Sequence, residues 1–217
     1  FNPRPRAGAT SKLLAPCQPS KILAVGRNFL ELIQEMNAPT PDIPLLFLKP
    51  PSALIATGEA IILPPQSQRV EHEAELAVVI KKRCRWLKAD DFANAIFGYT
   101  IANDVTARDL QQHDGQWTRA KGFDTFCPLG PWIETEFDPS DVLITCRVNE
   151  TLRQMASTRD MLFSIEQLVL YASSVMTLLP GDIILTGTPA GVGPLHNGDT
   201  VSIFIDGIGS LVNPVQA

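Results

Sequence analysis

Hydrophobic residues along the chain are grouped into short stretches, most of which end at glycine, proline or an Asn-Gly pair. Stretches of about four to eight aliphatic, β-branched or aromatic residues with such boundaries are typical of β-strands. The pattern predicts strands at residues 21–25, 45–49, 60–63, 74–80, 97–104, 142–148, 182–186 and 201–206. The chain is therefore predicted to be mostly β.

Only three stretches have the pattern of a helix. Residues 29–36 predict a short helix before a loop with three prolines at 37–44, and residues 89–96 predict a second. A third begins after Ser164, whose hydroxyl can cap it while Gln167 reaches back, and its apolar face comprises Ile165, Leu168, Val169, Ala172 and Met176. These are too few helices for a doubly wound nucleotide-binding fold, and there is no GxGxxG or P-loop. We expect an α+β domain at residues 20–217, preceded by an N-terminal extension at residues 1–19.

Composition and charge exclude several classes of protein. The 217 residues carry a net charge of −5, and the basic residues are scattered, so no phosphate-binding surface and no nucleic-acid partner are expected. No apolar stretch approaches the roughly 18 residues that span a bilayer, and the first residues lack the apolar core of a signal peptide. Four dispersed cysteines without CxxC spacing predict free thiols in a reducing, cytoplasmic setting, and three isolated histidines argue against a His-rich metal site.

The most informative chemistry lies at residues 72–76, His72-Glu73-Ala74-Glu75-Leu76, at the start of an apolar strand. Side chains two apart on a strand point to the same face, so both carboxylates can converge on one point. Oxygen-only ligation suits a hard cation such as Mg²⁺, Mn²⁺ or Ca²⁺. The alternative is that Glu71, Glu73 and Glu75 form the solvated face of a half-exposed strand.

Three further segments bear on a metal site. Asp104 ends a predicted strand, where it can be a third oxygen ligand or a turn residue. Lys121 lies in an aromatic and glycine-flanked stretch, where it can be a buried cation or a surface lysine. Residues 186–193 contain three glycines, two threonines and a proline; they can form a carboxylate-binding backbone nest or a plain tight turn.

Taken in order, six motifs of the chain closely resemble the fumarylacetoacetate hydrolase family over nearly all of residues 20–210. They are Gly26-Arg27-Asn28, Phe47-Leu48-Lys49-Pro50, His72-Glu73-Ala74-Glu75-Leu76, Asp104-Val105-Thr106-Ala107-Arg108-Asp109, Trp117-Thr118-Arg119-Ala120-Lys121-Gly122-Phe123 and Thr186-Gly187-Thr188-Pro189-Ala190-Gly191-Val192-Gly193. The form resembled is the compact single-domain one, which includes acylpyruvate hydrolases, oxaloacetate decarboxylases and isomerases of the homoprotocatechuate pathway.

The resemblance implies a mixed β-roll with few short helices, assembled as a homodimer. It implies Mg²⁺ or Mn²⁺ on three carboxylates that match Glu73, Glu75 and Asp104. The active-site lysine of the family matches Lys121. Residues that contact the 2-oxo acid substrate match Arg27, Arg108, Gln111 and Thr188.

One departure from the family concerns the predicted helix at residues 29–36. The resemblance implies a His and a Glu, three apart, that activate a hydrolytic water; here the Glu is kept as Glu35, but Leu32 stands in the His position. Leucine cannot accept a proton. We therefore expect metal-dependent enolate chemistry on small 2-oxo acids, with oxaloacetate-type decarboxylation ahead of acylpyruvate hydrolysis. The alternatives are a tautomerase or isomerase, and a non-catalytic relative that binds a metal or a dicarboxylate.

Overall fold

Three β-sheets make up most of the regular secondary structure in this computed structural model, which describes residues 12–217. Part of the predicted extension at 1–19 therefore lies outside the described residues. The strands are β1 (Ile22–Gly26), β2 (Leu45–Lys49), β3 (Leu54–Ile55), β4 (Ile61–Ile62), β5 (Val70–His72), β6 (Ala74–Ile80), β7 (Ile96–Asn103), β8 (Thr106–Ala107), β9 (Cys127–Glu134), β10 (Leu143–Val148), β11 (Thr151–Ser157), β12 (Ile183–Leu185), β13 (Gly193–Pro194), β14 (Thr200–Ile205) and β15 (Gly209–Gln216). The prediction of a mostly β fold is confirmed.

The largest sheet has seven strands in the order β2-β1-β12-β6-β7-β9-β3. Every residue of β6 is buried, as expected for a central strand, which has no solvated face, and the strand is apolar except for Glu75. The antiparallel neighbours of β6 are β12, with Ile183 opposite Val79, and β7, with Glu75 opposite Ala102. The start of β6, where the predicted ligands lie, is therefore paired with the end of β7, whereas β12 pairs with residues 77–79 of β6.

A second, five-stranded sheet has the order β11-β10-β14-β15-β4 and shows the alternation of a half-exposed sheet. In β14, for example, Val201, Ile203 and Ile205 are buried, whereas Phe204 is exposed. A small third sheet, β13-β5-β8, joins the strand before Glu73 to the segment after Asp104. This third sheet therefore holds together the two chain segments that lead to Glu73 and away from Asp104.

The helices are short: α1 (Leu30–Glu35), α2 (Phe92–Ala95), α3 (Arg108–Asp114), α4 (Thr118–Lys121) and α5 (Ile165–Val175). The predicted capping box of α5 is present, with the Ser164 hydroxyl accepting from the Gln167 backbone N–H and the Gln167 side chain accepting from the Ser164 N–H. The predicted helix at 89–96 is wrong in its extent. It is a 3₁₀ turn at Ala89–Asp91 followed by α2, and β7 begins at Ile96.

All four cysteines are free, as predicted; Cys84, Cys127 and Cys146 are buried and Cys17 is half-buried. Burial raises the pKa of the Cys127 and Cys146 thiols to about 12, so both are neutral and serve as apolar core residues. No helix in the described part of the chain is long and apolar enough to cross a membrane.

Candidate metal centre

Three carboxylates, which we call the carboxylate triad, meet at the start of β6. Glu73 lies at the junction of β5 and β6, Glu75 lies in β6, and Asp104 directly follows the neighbouring strand β7. The Asp104 N–H donates to the Glu73 carbonyl over 2.9 Å, which fixes the register of the two segments. One oxygen of each carboxylate lies within 4.8 Å of the others, and all three are buried. Glu71 is buried too, so the solvated-face alternative is wrong.

The electrostatics of the carboxylate triad favour a cation. Burial, together with repulsion from Asp104 and Glu73, raises the pKa of Glu75 well above its ordinary value. The Gly187 backbone N–H donates to Glu75 Oε2 over 2.6 Å, but it supplies no full positive charge. A buried, oxygen-only donor set of this kind fits a hard divalent ion such as Mg²⁺ or Mn²⁺.

Lys121 is a buried cation and not a surface residue. Its Nζ lies 2.8 Å from Glu73 Oε2 and 2.6 Å from Asp104 Oδ2, and its side chain is 2% exposed. Burial opposes the charge of Lys121, but the Asp104 and Glu73 carboxylates outweigh it and raise the pKa of the ammonium group above its ordinary value. Lys121 therefore stays charged between two members of the carboxylate triad.

Arg108, at the start of α3, holds a second side of Glu73. Its guanidinium donates to Glu71 Oε2 over 2.6 Å, to Glu73 Oε1, and to Gln111 Oε1 over 2.6 Å. Burial alone would raise the pKa of Glu73, but the charges of Lys121 and Arg108 lower it to about 2. Glu73 is accordingly ionised under all ordinary conditions.

Lys49, at the end of β2, was not predicted as a site residue although it belongs to one of the six motifs. Its ammonium lies 2.6 Å from Asp104 Oδ1 and donates to the Val105 carbonyl over 3.2 Å, and the side chain is fully buried. Apart from that motif, the signal in the sequence is a charged residue at the end of an apolar strand, just before Pro50. Around the carboxylate triad, the buried ionic groups among the described residues are thus four carboxylates (the carboxylate triad and Glu71) and three cations (Lys49, Arg108 and Lys121), which leaves one formal negative charge.

The carboxylate triad lies on the wall of a cavity of about 240 Å³, which we call the central cavity. The structure brings most of the predicted site residues to this one place. Besides the carboxylate triad, the predicted residues that line it are Arg27, Arg108, Gln111, Lys121 and Thr188. The apolar part of the wall includes Leu32, Phe47 and Trp117. A cavity of this size, with charged groups on one side, suits a small anionic ligand.

The backbone around Arg27 is held in an uncommon conformation at the central cavity. Arg27 has a φ of 58°, in the left-handed region that few non-glycine residues adopt. The next residue, Asn28, is fully buried, and its amide donates to the Thr186 carbonyl over 2.8 Å and to the Phe163 carbonyl over 3.1 Å. These bonds keep Arg27 at the cavity wall.

Helix α1 presents Leu32, and not Glu35, to the central cavity. Leu32 is buried in the wall, whereas Glu35 is exposed and its Oε2 accepts the Gly191 backbone N–H over 2.9 Å. Glu35 is thus the one predicted site residue that the structure does not bring to the cavity, and its catalytic role stays a prediction. None of the described residues lining this cavity is a histidine.

The glycine-rich loop, residues 186–193, packs directly against β6. Thr188 Oγ1 lies 2.9 Å from the Ala74 carbonyl and 2.8 Å from Gln154 Nε2, and Gly187 has a φ of 97°. A Cβ at Gly187 would lie 2.7 Å from the Cβ of Asn28, so this position has room only for glycine. The loop is therefore more than a plain turn, because it carries Thr188 to the cavity and a backbone donor to Glu75.

Comparisons with known proteins find relatives of the chain in both sequence and structure. The model of the fumarylacetoacetate hydrolase C-terminal domain matches residues 21–216. A mitochondrial oxaloacetate tautomerase of Bos taurus is 45% identical over 224 residues, covering 97% of this chain and 71% of the relative. A crystal structure of 5-carboxymethyl-2-hydroxymuconate delta-isomerase from Mycobacterium smegmatis has a TM-score of 0.89 at 53% identity, covering 94% of this chain and 80% of that one. Maleylpyruvate hydrolase from Sphingobium sp. SYK-6, crystallised with manganese(II) and pyruvate, has a TM-score of 0.82 at 38% identity, with 94% and 73% covered.

Proposed function

The chain belongs to the fumarylacetoacetate hydrolase family, and from this membership and its site we propose that it is a divalent-metal-dependent enzyme that forms enolates of small 2-oxo acids. The relatives named above act on oxaloacetate, a hydroxymuconate and maleylpyruvate, which are small oxo acids or their enols. A homodimeric assembly and a cytoplasmic location stay predictions.

The carboxylate triad is the set of residues that would hold the metal. Mg²⁺ and Mn²⁺ both suit it, and the maleylpyruvate hydrolase neighbour contains manganese(II). A divalent cation here would act as a Lewis acid toward the 2-oxo group of the substrate and so make its C3 protons more acidic.

The other residues of the central cavity stabilise charge on the substrate, orient it and exclude water. Lys121 places an ammonium group beside the carboxylate triad, where it stabilises negative charge that develops on the substrate oxygen. Arg27 and Gln111 line the same cavity and offer N–H donors to substrate carboxylates. Thr188 lines it too and offers an O–H donor. Leu32 and Trp117 provide apolar surface that excludes water.

Keto-enol tautomerisation is the reaction that this arrangement supports best. In it a C3–H bond breaks and an enol O–H bond forms, so no water molecule has to be activated. The observation that carries this proposal is that Leu32 occupies the wall of the central cavity while Glu35 is bonded to Gly191. Decarboxylation of oxaloacetate is the second candidate. It breaks the C3–C4 bond, releases CO₂ and leaves the enolate of pyruvate, which then takes up a proton, and it too needs no activated water.

The test is to follow the ultraviolet absorbance of enol-oxaloacetate in the presence of Mg²⁺, with and without protein. Free metal catalyses both reactions, so the rate with Mg²⁺ alone must be subtracted. A coupled assay for pyruvate separates decarboxylation from tautomerisation, and oxalate, a planar mimic of the pyruvate enolate, is expected to inhibit. Protein that adds no rate with oxaloacetate or with acylpyruvates would favour the alternative of a non-catalytic binding protein.

A further inference from the structure

Gln154 is a buried amide that the predictions did not include, and it does not line the central cavity. It lies in β11, is 1% exposed, and reaches from the second sheet to the back of the site. Its Oε1 lies 3.0 Å from the Ala74 N and 3.1 Å from His72 Nδ1, and its Nε2 lies 2.8 Å from both Thr188 Oγ1 and the Pro189 carbonyl. Gln154 therefore connects Ala74, which lies between the proposed metal ligands Glu73 and Glu75, to the glycine-rich loop.

The orientation of this amide is fixed by two backbone groups. The Ala74 N–H can only donate, so the Gln154 atom that faces it is the carbonyl oxygen. The Pro189 carbonyl can only accept, so the Gln154 atom that faces it is the NH₂ group. Reversing the amide would set two donors against each other at one end and two acceptors at the other.

This orientation decides what the Thr188 hydroxyl can do. Because Gln154 Nε2 can only donate, Thr188 Oγ1 must accept from it, and the single hydroxyl proton has to point elsewhere. In the structure that proton goes to the Ala74 carbonyl, 2.9 Å away. A ligand oxygen at the cavity face of Thr188 can receive the same proton, while Gln154 keeps the hydroxyl oxygen in place.

We infer that Gln154 is a positioning residue that makes Thr188 a hydrogen-bond donor toward an anionic group in the central cavity. The ligand chemistry is a carboxylate, and the inference rests on the proposed function only in taking that carboxylate to belong to a 2-oxo acid. Gln154 acts through Thr188 and leaves the metal ligands unchanged. A glutamate at position 154 would reverse the effect, because its carboxylate accepts the Thr188 proton and competes with the ligand for it.

The test is binding of oxalate, measured by calorimetry at saturating Mg²⁺, and binding of Mg²⁺ alone. Losing a hydrogen bond to a charged group weakens binding about 10- to 100-fold, and we expect Gln154→Glu to raise the oxalate Kd by that factor. Gln154→Met removes the fixed partner but leaves the proton free, so its effect is expected to be smaller. Gln154→Met adds no charge, so its Mg²⁺ Kd is expected to change by less than about twofold.

Two controls separate positioning from a merely structural role. In a Thr188→Val background Gln154→Met, which adds no charge, is expected to cause no further loss of oxalate affinity, because the hydroxyl through which Gln154 acts is gone. Asn213→Leu removes another buried amide, which donates to the Ala56 and Glu59 carbonyls in a different part of the described fold. It should lower the Tm and leave the oxalate Kd unchanged.

An oxalate Kd within about twofold of wild type in the folded Gln154 variants, or full additivity with Thr188→Val, would overturn the inference. If Gln154→Glu does not fold, the cycle of Gln154→Met with Thr188→Val gives the same decision. Wild-type protein that binds oxalate but turns over no 2-oxo acid would refute the proposed function alone. Wild-type protein that binds no oxalate would refute both.

Discussion

Replacing Glu75 by glutamine is expected to stabilise the metal-free protein and to remove its stabilisation by metal. Glu75 is buried against Asp104 and Glu73, with ligand oxygens within 4.8 Å of one another, so its charge is unfavourable until a cation arrives. Glutamine has nearly the same side-chain volume and can still accept the hydrogen bond that the Gly187 N–H donates to Glu75 Oε2 over 2.6 Å in the wild type. The metal-free variant should therefore melt at a higher temperature than metal-free wild type.

The magnitude of the lost metal effect follows from linkage. A ligand that binds only the native state adds about 2.7 kcal/mol at 100 times its Kd. For a chain of 217 residues, roughly 2–4 °C per kcal/mol gives a shift of about 5–11 °C in wild type. Glu75→Gln should show little of this shift, because one of the three anionic ligands has become a neutral amide.

The dependence on pH has a definite sign. The pKa of Glu75 is raised in the folded state, so its contribution to stability is complete below the ordinary value of 4.5 and is lost as pH rises through the folded pKa. The Tm difference between metal-free Glu75→Gln and metal-free wild type should therefore widen as pH rises above 4.5. Bound metal should abolish this trend.

Scanning calorimetry with EDTA or with Mg²⁺, at several pH values, measures the higher Tm of the metal-free variant, its lost metal shift and the pH dependence of the Tm difference. Glu150→Gln is the matched control, since Glu150 is an exposed turn residue and should show neither the pH trend nor a lost metal shift. If Glu75→Gln melts below wild type in EDTA and still gains the full shift with Mg²⁺, the carboxylate triad is not the metal site.

Three further predictions concern catalysis. Lys121→Met should lower kcat about 10²- to 10³-fold, and near-wild-type kcat would contradict the role of Lys121. The Mg²⁺ Kd of this variant, measured by calorimetry, should not rise, because the lysine that pairs with two of the metal ligands is gone. Leu32→His introduces a general base and should raise the rate of acylpyruvate hydrolysis by up to about 10²- to 10⁴-fold, and the rate of oxaloacetate turnover much less. If the wild type already hydrolyses acylpyruvates well, the general base is another residue. Glu35→Gln can still accept the Gly191 N–H and should keep most activity, whereas Glu35→Leu cannot and should raise KM. If Glu35 were the general base, both variants would lose activity.

The carboxylate triad could be predicted because its signal is local. The two-residue spacing of Glu73 and Glu75 on an apolar strand fixes a shared face, and the family motifs add Asp104 and Lys121. The stretch at 74–80, which is apolar except for Glu75, likewise identified the buried centre of the sheet, β6, with its observed bounds.

What the sequence did not reveal depends on contacts between distant segments. The partner of Lys49 is 55 positions later in the chain and that of Glu35 is 156 positions later, so neither contact has a local pattern. Gln154 lies in β11, which is mostly exposed and gave no strand signal. The unpredicted strand β9 contains Pro128, Gly130 and Pro131, residues that usually interrupt strands.

The distances in sequence across the site also bear on how it forms. Glu75 meets the Gly187 N–H across 112 positions, Gln154 meets Ala74 across 80, and β1 pairs in parallel with β12, with Ile22 opposite Ile183. Closing such long loops makes folding slow, because the entropy of each loop is lost before its contacts form. No early, local nucleus can contain the complete metal site. Acquisition of Mg²⁺ during refolding should therefore coincide with the last cooperative step, and metal affinity reports on completion of the whole fold.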